Sequence, residues 1–423
     1  MTPRRPNPLR HHHDFALLWI GQTASALGSQ VSMFAFPLIA FAVTGSVAVA
    51  AAVQAAELVG LAATLLPAGV LADRIDRRSL LRAASALGAL AYASLTLALV
   101  LGHAWPLHLA ATALCGGVAA GLFGPAELAA VQAVVPREEL STALSLNQGR
   151  QHVAALVGGP LGGLLYGATR WLPFAADAAS YLLSWVMLGR LRADLSPPGR
   201  TQSRRPVRTE LREGLAYVAR HRLFRLLTVW SFLTNLSMNA LFMVALLRMI
   251  TGGVDPFRIG LVEAVAGGCG VLGALLAPRL IARVPTGRLT VAIAWSATPL
   301  AVPMAVWGHP IVVAAALGTV LLLNPAGNAG MQAYRAAVTP AELVGRTQAA
   351  MIFASALALP LAPALAGALV AALGGRDAVL LAGALSAAVA LLPTLSRMIR
   401  TIPRPEAWPT APAPEAASRT SGP

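Results

Sequence analysis

Long apolar runs alternate along the chain with short polar breaks marked by Gly, Pro or Arg. An α-helix rises about 1.5 Å per residue, so a run of about 20 residues crosses a hydrocarbon core of about 30 Å. The runs predict spans at 15–43, 47–70, 80–101, 106–132, 143–167, 172–190, 223–250, 257–280, 287–307, 310–334, 347–372 and 377–396. The longest polar interval, 191–222, divides them six and six. It opens with the turn-like DLSPPGRTQSRRP, and TELREGLAYVARHRLFR then sets Leu211, Leu215, Val218 and Leu223 at near-helical spacing. Glu210 and Glu213 fall in the first turn, where the helix dipole favours acids, so an amphipathic interfacial helix is expected here. The end of the chain is rich in Pro, Ala and Thr and has little to bury. The expected organisation is a cytoplasmic tail (1–14), a six-helix bundle (15–190), a cytoplasmic linker with its helix (191–222), a second six-helix bundle (223–398) and a disordered tail (399–423).

Composition narrows the class. With 57% hydrophobic and 12% charged residues, a soluble chain of 423 residues could not cover its apolar surface. The net charge of +15 raises nucleic-acid binding, but the arginines sit in short loops between spans and not on one aromatic-interleaved face. Topology accounts for them. With a cytoplasmic N-terminus, only Arg170, Arg248, Arg258 and Arg376 approach the outer side, Arg150 lies within a span, and the rest are cytoplasmic. A multi-pass protein of a bacterial inner membrane, with both termini inside and no nucleic-acid partner, is expected. Cys115 and Cys269 fall inside spans, which supports neither a disulfide framework nor a zinc site. His11 to His13 could bind metal, but in a tail they read as interfacial or incidental, so no metal is expected. No P-loop or nucleophile motif appears, so neither an enzyme nor an ATP-driven pump is expected, and no cofactor beyond a coupling proton.

The halves echo each other. FGPAELAAVQAVVPREEL, at the end of the fourth span, is similar to LNPAGNAGMQAYRAAVTPAEL at the end of the tenth. GGPLGGLL in the fifth faces LAPALAGAL in the eleventh. Two related bundles point to a duplicated transporter with its site between the halves near mid-membrane. The fold class is therefore an all-α membrane protein of twelve transmembrane helices in two pseudo-symmetric six-helix bundles.

Between the second and third spans the chain reads GVLADRIDRRSLL, which resembles the loop motif of the major facilitator superfamily, with Asp76 where that pattern often has glycine. LLWIGQTASALGSQVSMFAFPLIAFAVTGS, VVPREELSTALSLNQ and ELREGLAYVARHRLFR look like the branch that holds the enterobactin exporter and related secretion permeases. The resemblance implies a permease that exports a small amphipathic molecule by alternating access against protons. An importer or lipid flippase on the same fold, or a receptor or scaffold without transport, are the alternatives. It also implies a cytoplasmic latch at Gly69, Asp73, Arg74, Arg77 and Arg78, against which stands a purely topological role for the arginines. The matching loop of the second half, APRLIARVPTGRL, keeps Arg283, Gly287 and Arg288 but no acid. In the fifth span Gly159, Pro160 and Gly163 match the antiporter motif, while Leu164 replaces its last glycine; plain helix packing is the competing use. The arginine motif that many drug antiporters carry in the fourth span is missing, so their coupling does not transfer.

Ionisable groups inside spans cost several kcal/mol unless paired or hydrated. They are Glu57, Glu127, Arg150, Asp177 and Glu263. Glu127 and Arg150 fall at similar depth on adjacent helices, which predicts an ion pair facing the cavity; it could serve transport or fix helix register. A proton carrier must be buried enough for its ionisation to change as the cavity alternates, and Glu57 leads that choice, followed by Glu127. Asp177 reads as a cap or a bridge between helices. Asn235, Asn239, Asn324, Asn328 and Gln332 could line the path or bond helices together, and Phe34, Phe36, Phe123, Trp230 and Phe242 offer aromatic surface. The expected partners are a small-molecule substrate and membrane lipids, with the chain monomeric.

Overall fold

The computed structural model describes residues 13–136, 139–195, 207–340 and 343–408, and all the regular structure among them is helical. Six long helices come first: α1 (His13–Thr44), α2 (Val47–Arg74), α3 (Arg77–Val100), α4 (Pro106–Val134), α5 (Leu140–Ala168) and α6 (Leu172–Gly189). A short amphipathic helix, α7 (Val207–Arg220), leads into α8 (Arg222–Thr251) and α9 (Pro256–Arg283). There follow α10 (Thr286–Trp295), α11 (Thr298–Trp307), α12 (Pro310–Val338), α13 (Val344–Ala356), α14 (Leu361–Leu395) and α15 (Arg397–Arg400). Among the described residues, ten helical stretches are long and apolar enough to cross a membrane. Two further facts bring the crossings to twelve. Helix α5 has the length but carries Arg150 and a polar first half. The last stretch, Val344–Leu395, runs 52 residues and reverses at Gly374, whose φ of 77° and ψ of 165° only glycine adopts readily.

Contacts at both ends prove the reversal. Helix α13 packs on α7, Gly375 lies against Arg248 near the end of α8, and Gly287, in the first turn of α10, lies against Ile399 and Arg400. The end of the molecule that carries α7 is called the linker end below, and the other the distal end. Tight turns with left-handed glycines (Gly45, Gly102, Gly253, Gly308 and Gly374) all lie at the distal end. At the linker end capping does the work instead: Asp76 accepts from the Ser79 amide at 3.0 Å and from its hydroxyl at 2.9 Å, which starts α3. That gives the aspartate at the motif's usual glycine position a definite role.

Helices α1–α6 pack on one another, as do α8–α15, and the two sets meet chiefly where α5 crosses α9 and α2 crosses α14. Pairwise packing repeats between the sets. A Cβ on Gly60 of α2 would come within 2.3 Å of the Leu114 carbonyl of α4, and one on Gly273 of α9 within 2.1 Å of the Leu322 carbonyl of α12. Helix pairs this close need glycine at the crossing, where association rests on backbone approach more than on apolar burial. Large apolar side chains such as Leu90, Leu107, Leu275 and Leu395 remain largely exposed, as lipid-facing residues do.

Three sequence expectations need correction. The span at 287–307 is broken between α10 and α11, and the span at 347–372 is broken at residues 357–360. Pro299 and Pro360 lack the N–H that would bond the carbonyls of Trp295 and Ala356. Residues 399–408, expected to be disordered, are ordered: the Thr286 and Gly287 amides donate to the Pro403 and Ile402 carbonyls at 3.3 and 3.1 Å, and Trp408 meets Tyr334 edge-on at 5.7 Å. The remainder of that tail lies outside the described residues, as do His11 and His12.

Candidate functional site

Where the two sets of helices meet, α1, α2, α5, α8, α9, α12 and α14 with the break before it line an open cavity of about 300 Å³. Its wall is mostly apolar and includes Met33, Met243, Met249, Phe34 and Phe242. Polarity comes from Gln30, Gln54, Asn239 and the carboxylate of Glu263. Glu263 faces the cavity because α9 presses its neighbours against α5. The Gly260 Cβ position is 2.3 Å from the Gly159 carbonyl, and that of Gly163 is 2.4 Å from the Pro256 carbonyl. The Glu263 Oε2 oxygen itself rests over Gly159, 2.8 Å from where a Cβ would stand. Glycines thus join the halves at the distal end and fix the carboxylate at the wall.

Behind the wall Gln54 donates from Nε2 to Glu57 Oε2 at 3.1 Å, so Glu57 is one residue removed from the cavity. Deeper in the first half, Asp177 is fully buried and accepts from Ser32 Oγ at 2.6 Å and Ser180 Oγ at 3.0 Å. Ser29 donates to the Tyr181 hydroxyl at 3.1 Å, and Tyr181 stacks on Tyr92 at 5.8 Å. Gly28, Gly88 and Gly116 make room for this knot: a Cβ on each would strike Ser180 Oγ, the Tyr181 ring and Tyr92 Oη. Asp177 therefore bridges α1 and α6.

Glu127 and Arg150 form a buried ion pair at 2.6 Å, and Asn147 Nδ2 donates to the same Glu127 oxygen at 2.9 Å. The pair does not line the cavity, in contrast to the orientation expected from depth alone. Nε and Nη1 of Arg150 are buried without a hydrogen-bond partner among the described residues.

Of the expected path residues, Phe34 and Asn239 line the cavity and Phe123 is buried outside it. Asn235 donates to the Ser231 carbonyl at 2.9 Å and Asn239 to that of Asn235 at 2.8 Å. Asn328 bonds Asn324 along α12, and the Gln332 carbonyl accepts from Gln348 at 3.4 Å. None of Asn235, Asn324, Asn328 and Gln332 lines the cavity. Gln30, Gln54 and the three methionines were not singled out from the sequence. Only Gln54 carried a signal, its three-residue spacing from Glu57. Among the described residues no group of three or more His, Cys, Asp or Glu side chains gathers as a metal site.

Residues 18–328 match the family model of the Major Facilitator Superfamily. The chain belongs to that superfamily. Solved structures with the same fold include the nucleoside transporter NupG in a point-mutant form (TM-score 0.76, 12% identity, covering 90% of this chain and 99% of that one). A bacterial homologue of the human lysosomal transporter Spinster, in an inward-facing and unoccupied conformation, has a TM-score of 0.71 at 13% identity, covering 92% and 97%. A POT family transporter in complex with a thioalcohol-conjugated peptide has 0.68 at 12%, covering 91% and 96%. No curated protein matches the sequence.

Within this superfamily fold, Arg78 of the loop motif and the nearby Arg82 are held against the end of the first set of helices. Arg78 Nη2 donates to the Ala193 carbonyl at 2.6 Å, and Arg82 lies over the Trp185 ring at 4.3 Å. Arg77 opens α3. Gly69 lies in α2, and the side chains of Asp73 and Arg74 are outside what the structure describes. The antiporter-like stretch Gly159, Pro160 and Gly163 is the part of α5 that crosses α9, so packing and motif are one feature here.

Proposed function

We propose that this membrane transporter is a secondary active exporter of a small amphipathic molecule, working by alternating access in exchange for protons in a bacterial inner membrane. One observation carries the reading: a largely apolar cavity lies between the halves, with one carboxylate on its wall and a second a single side chain behind it. Apolar walls suit an amphipathic solute, and intramembrane carboxyls are the groups able to exchange a proton with it. The glycine crossing of α5 on α9 supports a rocking motion, because two smooth backbones can pivot without unlocking side chains. In this reading the halves part at the linker end, which faces the cytoplasm, and the loop from Gly69 to Arg78 latches that end in the opposite state. Resemblance to the enterobactin exporter's branch supports the direction. Glu57 is the proton carrier, reached through Gln54.

Proteoliposomes with an imposed pH gradient test this. Wild type should show counterflow of at least one solute in an amphipathic panel, accelerated by the gradient. Glu57→Gln should keep counterflow and lose the acceleration. Full gradient-driven export by Glu57→Gln at normal protein levels would remove Glu57 from the mechanism, and silence across the panel would sink antiport.

A further inference from the structure

We infer that the cavity is a site for cationic amphipathic solutes, with Glu263 as their counter-charge; this names a substrate class for the transport reading above and rests on it. The other acids inside the membrane are already engaged. Glu127 holds Arg150, Asp177 accepts from Ser32 and Ser180, and Glu57 accepts from Gln54. Among the described residues no hydrogen bond or ion pair engages the Glu263 carboxylate, and no arginine or histidine lines the cavity with it. A lone carboxylate at a mostly apolar wall is destabilised unless it takes up a proton or meets water or a cation. A bound cation supplies that partner, whereas an anion would give up its hydration beside a like charge.

The rest of the wall fits the same ligand. Aromatic faces attract cations within about 6 Å of the ring, and Phe34 and Phe242 provide them. Methionines at 33, 243 and 249 supply polarizable, adaptable surface for the apolar body. The carboxylate is held where it can be used, since Gly159 leaves it space. Gln30, which also lines the cavity, packs its Cβ 2.5 Å from where a Cβ on Gly158 would be, next in the chain to the Gly159 that Glu263 meets, so a neutral amide side chain and the carboxylate both start against the same stretch of α5. Only the charge of one wall residue selects for sign.

Purified full-length protein in detergent, titrated with tetraphenylphosphonium and with tetraphenylborate, separates sign from shape, because the two ions differ little in size. Wild type should bind the phosphonium more tightly than the borate. Glu263→Gln should weaken phosphonium binding about tenfold, the scale of one modest charge contact, and leave the borate unchanged or improved. Moving the charge in Gln30→Glu/Glu263→Gln should recover phosphonium binding, and Gln30→Glu alone should exceed wild type, so a misfolded Glu263→Gln does not decide the matter. Equal binding of both ions, an undiminished monodisperse Glu263→Gln, or no gain from Gln30→Glu would each overturn the inference. Phosphonium binding without movement in proteoliposomes would defeat the transport reading and leave the site standing; counterflow of other solutes without phosphonium binding would do the reverse.

Discussion

The two halves share a helix order and a crossing geometry but use buried polarity differently. The first half knots side chain to side chain: Glu127 to Arg150 and Asn147, Asp177 to Ser32 and Ser180, Ser29 to Tyr181. The second half has broken helices, and its arginines reach backbone carbonyls as well as side chains. Arg248 donates to the Met304 and Ala305 carbonyls in the last turn of α11, where left-handed Gly308 ends the helix. Arg346 pairs with Glu213 at 2.6 Å to hold α7 on the first turn of α13, whose other end runs into the break at 357–360 that borders the cavity. Side-chain knots fix helices relative to one another, whereas proline breaks leave joints. The first half is thus built as a reference frame and the second as the part that bends, so damage to the knots of the first should appear as lost folding and damage to the joints of the second as altered transport.

The strongest test uses the matched crossings. Gly60→Val and Gly273→Val each drive a side chain into a carbonyl, at Leu114 and Leu322. Backbone cannot move aside as a flexible side chain can, so both should cost upwards of about 3 kcal/mol. The α2–α4 crossing in the knotted half should lose more, read as melting temperature and monodisperse yield in detergent. Equal losses would break the contrast between frame and joint.

Next comes the buried ion pair, where the structure predicts an asymmetry. Glu127→Ala leaves Arg150 with none of its donors bonded among the described residues, while Arg150→Ala leaves Glu127 with Asn147. Removing one partner of a buried pair costs about 3–5 kcal/mol, and the larger loss should fall on Glu127→Ala. Glu127→Leu/Arg150→Met should regain most of the stability, because a neutral pair needs no compensation. If the double variant folds and transports normally, the pair serves packing alone.

What the sequence could show follows from what leaves a periodic or compositional mark. Crossing helices did, because hydrocarbon demands about 20 apolar residues whatever their neighbours. The meeting of Glu127 and Arg150 was legible as equal depth, but the side the pair faces was not, since depth carries no rotation. The cavity left only a partial mark: Phe34, Asn239, Phe242 and Glu263 were expected near it, but Met243, Leu246 and Met249 have the composition of any lipid-facing turn, and only tertiary packing turns them inward. The ordered stretch after Ser396 was hidden by its prolines, which read as disorder but here let the chain lie along the α9–α10 turn. Asp76 looked like a departure from the motif until its capping bonds were seen.

The smallest expected effect sharpens the same contrast through two glycines that nothing crowds. Gly149 in α5 and Gly345 in α13 both have open space where a Cβ would be. Alanine at a helix interior gains about 0.5–1 kcal/mol over glycine, because the unfolded chain loses freedom and the helix gains nothing to avoid. Gly149 lies in the interior of its helix and should show that gain. Gly345 is in the first turn of α13 and should show less. If α5 is part of the rigid frame, Gly149→Ala raises the melting temperature and leaves counterflow rates untouched. Slowed counterflow in that variant would mean that α5 bends beside Arg150 during transport, and the frame would then begin elsewhere.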